Sequence, residues 1–60
     1  MAFILLHGKS GGDWYVETSH IAALHDQGEF TDIYLTGDRV PLTVQGRVED
    51  ILKRIFYEDE

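Results

Sequence analysis

The chain has no cysteine, one proline, one tryptophan and one methionine in 60 residues. Without cysteine there is no disulfide and no thiolate zinc site, and the redox compartment leaves no mark on the sequence. Basic residues are also scarce: five Lys and Arg stand against eleven Asp and Glu, for a net charge of −6. A field of that sign repels phosphate backbones, so nucleic acid is not an expected partner. No apolar run approaches the roughly 18 residues of a membrane span. The opening stretch Met1–Leu6 has no basic region before it and no small-residue cleavage site after it, so it does not read as a signal peptide. These absences lead to the expectation of a small cytoplasmic globular protein.

What is present is apolar and patterned. Leu, Ile, Val and Phe make up 18 of the 60 residues, too many for a disordered chain. A domain this short buries only about 60 % of its unfolded surface, so self-association is an economical source of stability. Phe3-Ile4-Leu5-Leu6 suits a buried strand, and the three glycines of Gly8–Gly12 make a turn. Asp13–Glu17 alternates, with Trp14 and Val16 on one side, and Ile21–Leu24 reads as its continuation past a kink near Ser19-His20, with a helical turn as the alternative. His25–Glu29 reads as a hairpin loop. Thr31–Thr36 alternates again, Gly37-Asp38 is a two-residue hairpin signal, and Val40, Leu42 and Val44 alternate beyond it. Pro41 has no backbone donor and marks an edge or a bulge.

The C-terminal pattern differs in period. Val48, Ile51, Leu52, Ile55 and Phe56 recur at helical spacing, with Glu49 and Asp50 in the first turn and Lys53 and Arg54 later, as the helix dipole favours. The fold expected is α+β: a small four-stranded antiparallel sheet over about 2–45, one amphipathic helix over about 47–57 packed on one face, and an acidic tail at 58–60, all in one domain. Trp14, Val16, Ile33, Leu35, Val40, Leu42 and Val44 form the face expected under the helix. One helix covers one face. The other face, with Tyr15 and Tyr34 and one side of the first strand (Phe3 and Leu5, or Ile4 and Leu6), then remains for association, most simply in a homodimer.

The order of segments resembles the flagellar FlbD-type small proteins. It runs Leu6-His7-Gly8, Tyr15-Val16-Glu17, His20–Leu24, Thr31–Gly37, Leu42–Val44 and Val48–Ile55. That resemblance covers nearly the whole chain and implies a bacterial motility setting. Residues 21–55 are also similar to part of a LytTR-type DNA-binding domain, Val44–Ile51 matching one of its segments, but without its later strands and basic residues. Both resemblances speak to fold before role.

Chemistry is sparse. Gly8-Lys9-Ser10 has Phe3 where a phosphate-binding loop needs its first glycine, and a strand where it needs a helix, so it reads as a turn. His7, His20 and His25 are separated by 13 and 5 residues, which is no metal-ligand spacing, and neither metal nor cofactor is expected. Ser19 and His20 are strand neighbours and point apart, so they are not a catalytic dyad. The candidate partner-binding residues are Tyr15, Tyr34, Phe3 and Leu5. Arg39, Arg47, Lys53 and Arg54 are candidate anion contacts. The expected role is that of a non-enzymatic regulatory or adaptor protein that binds itself and another protein. The alternatives are a truncated LytTR-like nucleic-acid binder and an acidic inhibitor encoded by a mobile element.

Overall fold

The computed structural model of the chain describes residues 2–57. Its strands are β1 (Phe3–His7), β2 (Asp13–Glu17), β3 (Ile21–Gln27), β4 (Phe30–Leu35) and β5 (Leu42–Gln45), followed by the helix α1 (Val48–Tyr57). The α+β class and the C-terminal helix match the sequence pattern. The strands number five and form an antiparallel pair, β1-β2, and an antiparallel triple, β3-β4-β5. The extra strand arises at Thr18–His20, where a single 3-10 turn breaks what the sequence suggested was one kinked strand. Gly8 bridges to Val44, and the Lys9 N–H donates to the Thr43 carbonyl at 3.0 Å, which joins the two sheets edge to edge.

The acidic tail at 58–60 lies outside the described residues. The polar segment His25–Glu29 is mostly strand rather than loop. β3 runs to Gln27, and only Gly28 and Glu29 turn, with Gly28 at φ +82°. A positive φ at the first of two loop residues is the type II′ requirement, and glycine meets it without strain.

The other hairpin differs from expectation. Continuing the β4–β5 register from Ile33–Leu42 would set Thr36 opposite Arg39, the two residues flanking Gly37-Asp38. A two-residue loop needs that flanking pair to exchange hydrogen bonds. Thr36 instead gives its N–H to the His20 carbonyl at 2.8 Å. The chain turns through Leu35–Asp38, with the Asp38 N–H on the Leu35 carbonyl and Gly37 at φ +89° in third place, the type II arrangement. Unprimed turns splay the strands they join. The ladder therefore stops at Leu42, and Val40, expected under the helix, is 78 % exposed.

The core is aliphatic: Ile4, Leu6, Val16, Ile33, Val44 and Ile51 are buried, with Ile21, Leu24, Leu35, Leu42 and Ile55 packed around them. Of the two readings of β1, Ile4 and Leu6 face in. Thr31 is buried beside them, and its hydroxyl donates to the Gly46 carbonyl at 2.9 Å, holding the link between β5 and α1. Trp14, expected in the core, is not buried there. It shares the inward side with Leu6, its cross-strand neighbour, yet is 49 % exposed, because it sits near the turn end of a two-stranded hairpin beside the splayed loop. Leu52 and Phe56 differ from expectation too: Ile51 fills the helix's place in the core, and Leu52 and Phe56 face outward.

Candidate functional site

Backbone geometry places the main surface feature. The Gly8 N–H donates to Gly12 at 3.0 Å and the Thr18 N–H to Ala2 at 2.9 Å, one beyond each end of the β1–β2 ladder. Hydrogen-bonded pairs alternate with non-bonded ones in an antiparallel ladder. Ile4–Val16 and Leu6–Trp14 are thus the bonded pairs, and Asp13, Tyr15 and Glu17 turn their backbone groups away from β1. On the opposite edge, the outward Leu5 carbonyl accepts from the Arg54 guanidinium, which ties α1 to β1. Among the described residues, nothing pairs with the outer edge of β2.

Beside that edge lies an open groove of ≈ 330 Å³, lined by Phe3, Trp14, Tyr15, Val16, Leu35 and Leu42, with Glu17 and His20 at its rim. It continues past Trp14 toward Asp38, Val40 and Pro41. The splayed β4–β5 end leaves Leu35 and Leu42 reachable from outside. Tyr15 is 69 % exposed, so the feature is a surface trough rather than an enclosing pocket.

The structure brings Phe3 and Tyr15 together on this groove. Tyr34 is half-buried on β4, in the other sheet, opposite Ala23. Leu5 is half-buried, and neither it nor Tyr34 lines the groove. The candidate anion contacts do not converge. Arg39 and Arg47 lie at opposite ends of β5, Lys53 sits beside Leu52 and Phe56 on the helix, and Arg54 holds Leu5. Leu35 and Leu42 pack against the core as the alternation predicts, and with Trp14 they also reach the groove, where the exposed loop after Leu35 opens them to solvent.

A second cluster crosses the triple sheet. His25, Asp32 and Thr43 stand in one cross-strand row. Asp32 accepts from the Thr43 hydroxyl at 2.6 Å and from the Gln27 amide at 3.0 Å, with His25 Nδ1 at 3.6 Å. The Thr43 hydrogen bond, then that of Gln27, holds the Asp32 carboxyl below its ordinary pKa, with His25 adding to this and burial opposing it. The Thr43 hydroxyl donates its hydrogen bond to the carboxylate rather than to the imidazole, so the row does not have the hydroxyl–imidazole–carboxylate order of a catalytic triad. The row fastens β4 to its two neighbours. The other histidines also meet acids: His7 meets Asp13 at 2.8 Å and His20 meets Glu17 at 3.1 Å. No three His, Asp or Glu side chains among the described residues are grouped to hold a metal ion. In the Gly8–Gly12 turn, the Lys9 ammonium lies 5.0 Å from the Phe30 ring centre.

The chain matches no protein-family model, no curated protein and no solved structure.

Proposed function

We propose that this chain is a non-enzymatic protein-binding module of the adaptor or regulatory kind. One observation carries the reading. None of the seven aromatic residues is buried, and Phe3, Trp14, Tyr15, Phe56 and Tyr57 are exposed around an aliphatic core. Aromatic side chains are the usual anchors of protein interfaces, and large exposed ones are costly to keep in water without a partner. They fall on two surfaces. One is the groove beside β2. The other is the outer strip of α1, where Leu52, Phe56 and Tyr57 lie with Glu49 and Lys53.

The helical strip supports self-association. It carries one acid and one base beside its apolar residues, a composition that a second copy related by a two-fold axis can complement. The groove supports a different protein partner. The resemblance to FlbD-type proteins adds a bacterial motility setting to this proposal. A truncated LytTR-like role draws less support, because the four basic side chains do not form a patch.

A photo-reactive aromatic residue at position 15, 56 or 29 in living cells tests the reading, Glu29 being an exposed control away from both surfaces. The expected result is a discrete heterologous adduct from position 15 and a dimer adduct from position 56. Adducts no stronger at 15 and 56 than at 29 would overturn it.

A further inference from the structure

We infer that the β2 edge recognises an extended protein segment with basic residues flanking an alternating apolar centre, which adds to the sheet as a further strand. This names the class of partner for the protein-binding reading and rests on it. The outward backbone groups of Asp13, Tyr15 and Glu17 are what an added strand needs, and the groove beside them supplies side-chain contacts, the two components of β-strand addition. β3, the other terminal strand, has α1 against it.

The sequence of β2, Asp13-Trp14-Tyr15-Val16-Glu17, then dictates the occupant. Residues of the added strand opposite Trp14 and Val16 share their side, above Leu35 and Leu42, and are best apolar. Residues opposite Asp13 and Glu17 meet a carboxylate at each end and are best Lys or Arg. The imidazoles of His7 and His20 beside those carboxylates are exposed and carry charge only when protonated. The same arithmetic disfavours a second copy of β2. Two such strands paired antiparallel about Tyr15 set Asp13 of each directly opposite Glu17 of the other, and like charges in that position repel.

Three blocked peptides test this against the whole chain, read by Trp14 fluorescence and by hydrogen exchange at the Tyr15 amide. They are Thr-Lys-Val-Thr-Val-Lys-Thr, its twin with Glu for both Lys, and the first peptide N-methylated at its central Thr. The first is expected to shift Trp14 emission and slow Tyr15 exchange about tenfold or more. The Glu twin is expected to bind about tenfold or more weakly, and the N-methylated peptide not at all. A D13K/E17K double variant is expected to exchange the preferences of the two charged peptides. A peptide that shifts Trp14 but leaves Tyr15 exchange unchanged overturns strand addition and leaves protein binding standing. Equal binding of the Lys and Glu peptides overturns the basic flank. Protection of Tyr15 that grows with chain concentration alone makes a second copy the occupant and overturns the inference. If no peptide reaches Trp14, the inference fails, whereas adducts from position 15 would still report on the broader reading.

Discussion

Gly8 is a glycine for lack of room rather than for its backbone angles. A Cβ there would sit 2.8 Å from the Gly11 carbonyl oxygen and 3.0 Å from Trp14 Nε1. The carbonyl belongs to the turn that Gly8 itself closes, so only the indole can give way. Gly8→Ala is expected to destabilise by about 1–3 kcal/mol, as overpacking does, and to change Trp14 emission, with both effects read from one urea titration followed by fluorescence. Asp32 is the residue whose titration bears on stability. Its carboxyl is held below its ordinary pKa by Thr43 first and Gln27 second, so the folded state binds its proton less readily than the unfolded chain. That contribution is complete above the ordinary carboxylate range and is lost as pH falls through the depressed folded value. Thermal unfolding from pH 7 down to pH 3 should therefore show Asp32→Asn less stable than the parent at neutral pH, with the gap closing toward acid. A gap that stays constant with pH would show that Asp32 contributes by shape alone. The row His25–Asp32–Thr43 had a sequence signal. Once Gly28-Glu29 is recognised as a two-residue turn, counting outward pairs His25 with Asp32.

At the scale of elements, the short helix shows where amphipathic pattern and packing diverge. Its stripe is five residues wide by sequence, but a ten-residue helix beside so small a sheet buries only a narrow strip, centred on Ile51. Ile51→Ala should cost about 2–5 kcal/mol in a denaturant titration, and Leu52→Ala, at a position 38 % exposed, clearly less while the chain is monomeric. The helix, the alternation of Thr31–Leu35 and the inward placement of Leu42 and Val44 were legible because each follows from a single period. Trp14 and Val40 were not. Alternation assigned Trp14 to the inward side but could not show that the sheet ends beside it. Val40 lost its place through the bond from Thr36 to His20, which links residues 16 apart and leaves no local trace. The groove lies where the β4–β5 ladder stops short, which depends on contacts distant in sequence and could not be read from the residues that line it. Thr31 tests the other junction. Thr31→Val should cost about 1–2 kcal/mol by stranding the Gly46 carbonyl, and should loosen α1, as seen in faster exchange of the Ile51 amide.

For the whole molecule, the unusual partition is between an aliphatic interior and an aromatic exterior. Six buried aliphatic side chains form the core, while the large rings that would enlarge it lie outside. A chain of this size has little stability to spare, so under the proposed self-association the exposed apolar strip of α1 would add stability through a second copy. That coupling makes stability depend on concentration. Sedimentation equilibrium over a range of concentrations should give a mass above that of one chain, and the unfolding midpoint should rise with concentration in parallel. In an L52S/F56S variant both dependences should vanish, whatever stability the single chain itself loses, because the strip they form is the proposed self-contact. A W14A variant should keep both dependences, since Trp14 belongs to the groove and not to the helical strip. Monomeric mass in the parent at every concentration would remove self-association from the proposal. Loss of association in W14A instead would move the self-contact to the edge of β2. There Asp13 of each copy would stand opposite Glu17 of the other, so a D13N/E17Q variant, which removes that like-charge repulsion, should associate more tightly than the parent.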